Sequence, residues 1–162
     1  MVKEKELGNL NIPTPKDEIK YRPGGTFFSQ GKKYARMLAY VDARYIQDKL
    51  DQVVGSANWS NSFYRDEKGM LFCTITITFE RKDGVIDTIS KTDVGTESNV
   101  EQQKGEVSDS FKRCGVHFGL ARDLYSLPNP FRYIAEMEGN KVFDKNTGKL
   151  VYPTQWKPEG DK

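Results

Sequence analysis

The sequence has 162 residues, of which 36% are hydrophobic, 12% aromatic and 30% charged. This length suits one core of ordinary size and excludes two large domains, and the composition is that of a globular chain with a polar surface. The 25 Lys and Arg residues nearly balance the 23 Asp and Glu residues, so net charge alone gives no argument for a nucleic-acid partner. The apolar stretches are strand-length and the N-terminus has no apolar signal segment, so we expect a cytoplasmic protein without a membrane span.

An extended N-terminal arm is predicted over residues 1–31, because prolines and the Gly24-Gly25 pair interrupt it and no hydrophobic period is sustained. Between residues 20 and 40 basic and aromatic residues are interleaved, without an acidic one. Two interpretations stay open: the aromatic rings pack the arm onto the core, or they stack on bases while the cations hold phosphates. The basic residues are Lys20, Arg22, Lys32, Lys33 and Arg36, and the aromatic ones are Tyr21, Phe27, Phe28, Tyr34 and Tyr40.

The folded core is predicted over residues 32–128 and begins with a strand at residues 34–41. A helix follows, with Asp42 as its N-cap and Gly55 as its stop. The apolar residues at helical spacing give this helix one buried face. They are Ile46, Leu50, Val53 and Val54.

A three-stranded antiparallel meander is predicted next. Its first strand lies within residues 58–64, and its clearest strand is the run LFCTITITFE, in which apolar and polar residues alternate as in a half-buried strand. Asp83-Gly84 is a strong hairpin signal, and a return strand over residues 85–93 completes the meander.

A long helix is predicted after the meander, because Ser98 and Glu101 have capping-box spacing and an apolar stripe follows. Gly115 and Gly119 leave space for a close neighbour, for which a packed structural element is the simplest candidate. The predicted fold class is therefore α+β, a β-β-β-α core with an additional N-terminal strand and helix. A C-terminal hairpin near residues 146–148 and a polar tail occupy residues 129–162. The predicted stripe consists of Val107, Phe111, Cys114, Phe118 and Ala121.

Metal and cofactor chemistry have little support in the sequence. Cys73, Cys114 and His117 are the only Cys and His residues, fewer than the four ligands of a structural zinc site, so no metal or cofactor is predicted. Cys73 alternates with isoleucines and Cys114 lies on the helical stripe, so both are interpreted as buried apolar side chains. No phosphate-binding loop of the GxxxxGK[ST] type occurs, so ATP use is not indicated.

A metal-dependent nuclease is the enzymatic alternative, because carboxylates cluster on and after the return strand with Lys91 nearby. Their spacing argues against a shared site, since one lies in the turn and another at the strand end. We therefore predict a protein that is not an enzyme. The carboxylates are Asp83, Asp87, Asp93 and Glu97.

Three segments resemble, in order and spacing, the DNA-binding core of the Rad52 family of single-strand annealing proteins. They are MLAYVDARYIQDKLDQVVGSANWS, TDVGTES and EVSDSFKRCGVHFGLARDLY, and the likeness extends over about residues 31–128. It is strongest to the bacterial and phage branch, which includes the DdrA-like DNA-end protection proteins. The resemblance implies a β-β-β-α core that assembles into a homo-oligomeric ring with a positively charged groove for single-stranded DNA.

The groove cations implied by the resemblance are Arg44, Lys112 and Arg113, with Val116 where eukaryotic members have a further basic residue. A second, outer contact would include Lys82 and Lys104. The basic arm adds Lys32, Lys33 and Arg36 as candidate DNA contacts.

The resemblance implies binding of single-stranded DNA and ATP-independent annealing of complementary strands in recombination and repair. The expected partners are single-stranded DNA, further copies of the chain, and recombination proteins of a bacterial or phage-infected host, with a place near the nucleoid. Protection of DNA ends without annealing is the main alternative, and the nuclease is the weaker one.

Overall fold

The computed structural model describes residues 1–96 and 102–161, with side chains in the second range from Gly105 onward. The predicted α+β class with antiparallel sheets is confirmed. None of the helices in the described ranges is long and apolar enough to cross a membrane. In chain order the elements are β1 (Lys20–Ser29), β2 (Lys32–Tyr40), α1 (Ala43–Val54), β3 (Trp59–Arg65), β4 (Leu71–Glu80), β5 (Ile86–Val94), α2 (Gln102–Val116), β6 (Ile134–Glu138), β7 (Lys141–Asp144) and β8 (Lys149–Val151). Short 3-10 helices occur at Glu4–Leu10, Lys16–Glu18, Arg122–Tyr125, Pro130–Tyr133 and Pro153–Gln155.

The chain forms two compact units. Unit 1 consists of Met1–Thr14 and Asp42–Asp123, and unit 2 consists of Pro15–Val41 and Leu124–Lys162. The division into an arm, a core at residues 32–128 and a tail stays a prediction about domains. Within unit 2, the strand β1 formed by the predicted arm and the strands formed by the predicted tail belong to one sheet.

The sheet of unit 1 is the predicted meander, with strand order β3-β4-β5 and antiparallel pairing throughout. Strand β4 buries every second residue, as its alternating sequence predicts, and α2 packs on β4 and β5. Polar side chains on the opposite face bond across the strands, as between the hydroxyls of Thr74 and Thr92 at 2.7 Å. The turn between β4 and β5 contains Gly84 with φ of +84°, which explains the Asp-Gly signal.

The two cysteines are fully buried, as predicted, at the contact between β4 and α2. The Cys114 thiol donates to the carbonyl of Lys91 at 3.0 Å. Hydrogen bonding to Cys114, together with burial, raises the pKa of the Cys73 thiol. Cys73 therefore stays protonated, which fits a packing role.

The predicted apolar stripe of the long helix is wrong at its N-terminal end and extends past the C-terminal end of the helix. Val107 is 43% exposed, while the neighbouring Glu106 is buried and binds Arg65 at 2.7 Å. Helix α2 ends at Val116, so Phe118 and Ala121 lie beyond it. A carboxylate paired with the exposed Arg65 thus takes a buried position where periodicity predicts only apolar residues. The capping residues Ser98 and Glu101 lie outside the described residues.

Gly115 and Gly119 make close structural contacts. A Cβ on Gly115 would lie 3.1 Å from Cγ2 of Ile46 in α1. A Cβ on Gly119, where φ is +99°, would lie only 2.4 Å from Cβ of Asn11. Both glycines therefore allow close packing within unit 1, which is the structural role that the sequence analysis favoured.

Unit 2 contains a five-stranded sheet in the order β1-β2-β6-β7-β8, which includes the predicted C-terminal hairpin. Its core is aromatic: Tyr21 stacks on Tyr133 and meets Trp156 edge-on at 5.2 Å. Burial raises the pKa of Tyr21 to about 12. The C-terminal segment is anchored rather than a solvated tail, because Trp156 is buried and the Asn146 side-chain amide donates to three of its carbonyls. The acceptors are those of Lys157, Pro158 and Asp161.

Candidate nucleic-acid interface

The first turn of α1 lies against the C-terminal half of α2. Ile46 of α1 packs closely on Gly115 of α2, so a Cβ added to Gly115 would force a small shift of Ile46. Arg44 precedes Ile46 by two residues and is exposed, and Lys112 precedes Gly115 by one helical turn. The first turn of α1, which carries Arg44, therefore packs against α2, which carries Lys112 and Arg113.

Arg113 is held by Asp109 and, through it, by the segment after β5. Nε of Arg113 lies 3.2 Å from Oδ2 of Asp109, one turn earlier in α2. The same oxygen accepts hydrogen bonds from the backbone N–H of Thr96 at 2.8 Å and from its hydroxyl at 3.0 Å. Thr96 belongs to the TDVGTES motif, so two of the three recognised segments meet at this carboxylate. Arg113 is half-buried, and its side chain is 40% exposed.

The C-terminal end of α2 is surrounded by further cations. Lys91 donates to the carbonyl of His117 at 2.8 Å, and Arg122 donates to the carbonyls of Val116 and His117. Cations at this end compensate the helix dipole and its free carbonyl groups. His117 also pairs with Asp93, with 2.9 Å between Nε2 and Oδ2. The sequence analysis did not predict these contacts of Lys91 and His117, because they join β5 to the end of α2, more than twenty residues farther along the chain.

The candidate outer contact is only partly described. Lys82 is exposed in the turn between β4 and β5. Its neighbour Arg81 pairs with Asp83 at 2.9 Å and with Asp87 at 3.7 Å. The side chain of Lys104 lies outside the described residues.

The carboxylates of the nuclease alternative do not converge where the structure describes them. Asp83 and Asp87 share Arg81, whereas Asp93 lies six residues farther along β5, roughly 20 Å away at 3.3 Å per residue. Glu97 lies outside the described residues. Within the part of the chain that the structure describes, no group of three or more His, Cys, Asp and Glu side chains is placed to hold a metal ion.

The basic and aromatic residues of the arm have different environments in unit 2. Tyr21 belongs to the core, which favours the packing interpretation for that residue. Phe27 and Tyr34 stack on each other, and the guanidinium of Arg36 lies 4.8 Å from the centre of the Phe27 ring. Lys32 lies 3.8 Å from Glu136. Lys33 is half-buried on the same strand as Lys32.

A three-stranded meander packed on a helix is the core that the sequence resemblance implied. The chain belongs to the Rad52/22 family of double-strand break repair proteins, whose family model matches residues 6–143. It is similar to the single-stranded DNA-binding protein DdrA of Deinococcus deserti, with 35% identity over 121 residues that cover 74% of this chain and 56% of the relative. The DdrA protein of Deinococcus radiodurans is 32% identical over 121 residues, which cover 74% of this chain and 54% of that protein. The chain thus spans about half the length of these curated relatives.

Proposed function

We propose that this chain binds single-stranded DNA without sequence preference and promotes the pairing of complementary strands without ATP. The observation that carries the proposal is the close contact between Ile46 of α1 and Gly115 of α2 in a member of the Rad52/22 family, because these two helices carry Arg44, Lys112 and Arg113. The names of both relatives, single-stranded DNA-binding proteins, support the same partner. Residues 32–128 form the proposed DNA-binding core.

The proposed contacts are made to the phosphate backbone. Lys and Arg side chains that bind phosphates fix a strand in place but read no sequence. A strand held by its backbone keeps its bases free to test a second strand. Lys82, Lys104 and the arm residues Lys32, Lys33 and Arg36 are proposed as secondary contacts. The proposal contains no catalytic step.

Several copies of the chain are proposed to act together as a ring. One copy offers few phosphate contacts, and neighbouring copies multiply them along one strand. Strands β3 and β5 are both edges of their sheet, and Phe63 and Val107 are exposed beside the Arg65–Glu106 pair. Such surfaces suit burial against a second copy. Light scattering should give a mass of many chains, whereas a monomer at micromolar concentration with and without DNA would contradict the ring.

The annealing proposal is tested by the rate at which two complementary fluorescent oligonucleotides pair, in EDTA and without ATP. We expect the protein to accelerate pairing, and the double variant Lys112→Ala/Arg113→Ala to lose both stable strand binding and acceleration while it remains folded. Lys49→Ala/Lys68→Ala is the matched control, because it removes two positive charges from exposed or half-buried sites elsewhere in unit 1. Binding by the first variant at the level of the control would contradict the proposed groove.

Binding that protects single strands without annealing them is the second candidate. It is favoured by the relatives' names, which specify binding and not pairing. Tight binding of each strand with no acceleration of pairing would select this candidate. Loss of oligonucleotide only when a divalent metal replaces EDTA would instead indicate a nuclease.

A further inference from the structure

An exposed phenylalanine in unit 2 is the starting point. Phe131 is 79% exposed, in a 3-10 helix whose first residue is Pro130. An aromatic ring this exposed contributes little to the core of its own chain. Isolated exposed apolar residues are common on protein surfaces, so exposure alone assigns no role.

The cavities beside Phe131 indicate a role for its exposed ring. Two cavities, of about 370 Å³ and about 380 Å³, are both lined by Phe131 and by Ile134 of β6. These volumes are at the small end of the range for sites that take small organic groups. A flat group placed in either cavity would therefore lie against the Phe131 side chain.

The charges that line the cavities favour an anionic partner. Glu159 and Glu136 in the first cavity are already paired with lysines, at 3.9 Å from Lys145 and 3.8 Å from Lys32. Arg132, also in its lining, is occupied by Asp161 at 2.7 Å. Lys157 lines the same cavity and makes no ion pair within the described residues.

In the second cavity Arg36 is the charged lining residue, and its guanidinium contacts the Phe27 ring rather than a carboxylate within the described residues. An exposed aromatic ring between cations that lack carboxylate partners is the arrangement that holds single-stranded nucleic acid, with a base stacked on the ring and phosphates on the cations.

We propose that Phe131 is a stacking platform for an unpaired DNA base, with Arg36 and Lys157 binding the flanking phosphates. This inference rests on the proposed function and adds to it a base contact in unit 2. Because stacking requires only the π-face of a base, the contact preserves binding without sequence preference.

The test compares the affinity of the full chain for oligothymidylate with its affinity for an abasic strand of the same length. Phe131→Ala should weaken binding of oligothymidylate about 5- to 150-fold, the range expected for one stacked base. Binding of the abasic strand should change by less than about twofold, because the phosphates are the same. Phe131→Trp should restore oligothymidylate binding. Tyr152→Ala is the control, since it removes another exposed aromatic ring of unit 2, one that lines neither cavity.

Equal behaviour of Phe131→Ala and Tyr152→Ala on both strands would overturn the inference and leave the proposed function intact. Equal losses on the two strands would overturn it as well, since they would show that no base is contacted. A lower mass in light scattering without dependence on bases would assign the surface to a neighbouring copy and refute the stacking role. If the parent protein binds neither strand, the proposed function itself fails.

Discussion

Replacing Gly95 by alanine tests whether the segment after β5 must lie directly on α2. A Cβ at this position would lie 2.5 Å from the carbonyl oxygen of Glu106 and 2.8 Å from the backbone nitrogen of Ser110. Both are backbone atoms of the helix, so no side-chain rotation can relieve the contact. The opposite side is also fixed, because the Gly95 N–H donates to the carbonyl of Leu71 at 2.9 Å. The segment or the helix must therefore move by nearly an ångström.

Overpacking of this kind typically costs about 1–3 kcal/mol. For a chain of this size each kcal/mol lowers Tm by about 2–4 °C, so we expect Gly95→Ala to melt roughly 2–12 °C below the parent. The same movement would draw Thr96 away from Asp109 and so change the position of Arg113. Strand binding should therefore weaken even at temperatures where the variant is fully folded.

Differential scanning calorimetry and strand-binding titrations on the same samples provide the assay. Gly8→Ala is the matched control, because no heavy atom lies within 4 Å of the added Cβ. We expect this control to keep the Tm and affinity of the parent. If Gly95→Ala has the same Tm as Gly8→Ala, the close packing of Gly95 on α2 is refuted. If Gly95→Ala melts lower but binds normally, the link from Thr96 to Arg113 is refuted.

Two further predictions concern pH and salt. Burial raises the pKa of Tyr21 to about 12, so the folded protein keeps a proton that the unfolded chain loses near pH 10. The free energy of unfolding should therefore fall by up to roughly 2.7 kcal/mol as the pH rises from about 10 to about 12. Urea titrations should show this fall in the parent but not in Tyr21→Phe. The slope of log affinity against log salt should be shallower by about 1.4 in Lys112→Ala/Arg113→Ala, at about 0.7 per lost phosphate contact. The slope of Lys49→Ala/Lys68→Ala should match the parent, and equal slopes in all three proteins would contradict the groove.

The meander and the family could be predicted from sequence because their signals are local. Strand β4 alternates without a break, and the Asp-Gly turn fixes its pairing with β5. The orientation of α2 could not be predicted in the same way, because the buried Glu106 depends on Arg65 from a distant strand. Phe131 likewise gives no periodic signal, since its setting depends on β2 and β6, which are about a hundred residues apart.

The pairing of Arg113 with Asp109 bears on how an annealing groove would release its strands. A groove of unpaired cations would hold each strand tightly and oppose its transfer into a duplex. In the proposed groove, a phosphate that approaches Arg113 competes with the Asp109 carboxylate, which stays fixed by Thr96. The contact at Arg113 is then weak and exchangeable, and neighbouring copies in the proposed ring would supply the overall affinity. Binding that is strong in sum but weak at each phosphate is what pairing of two held strands requires.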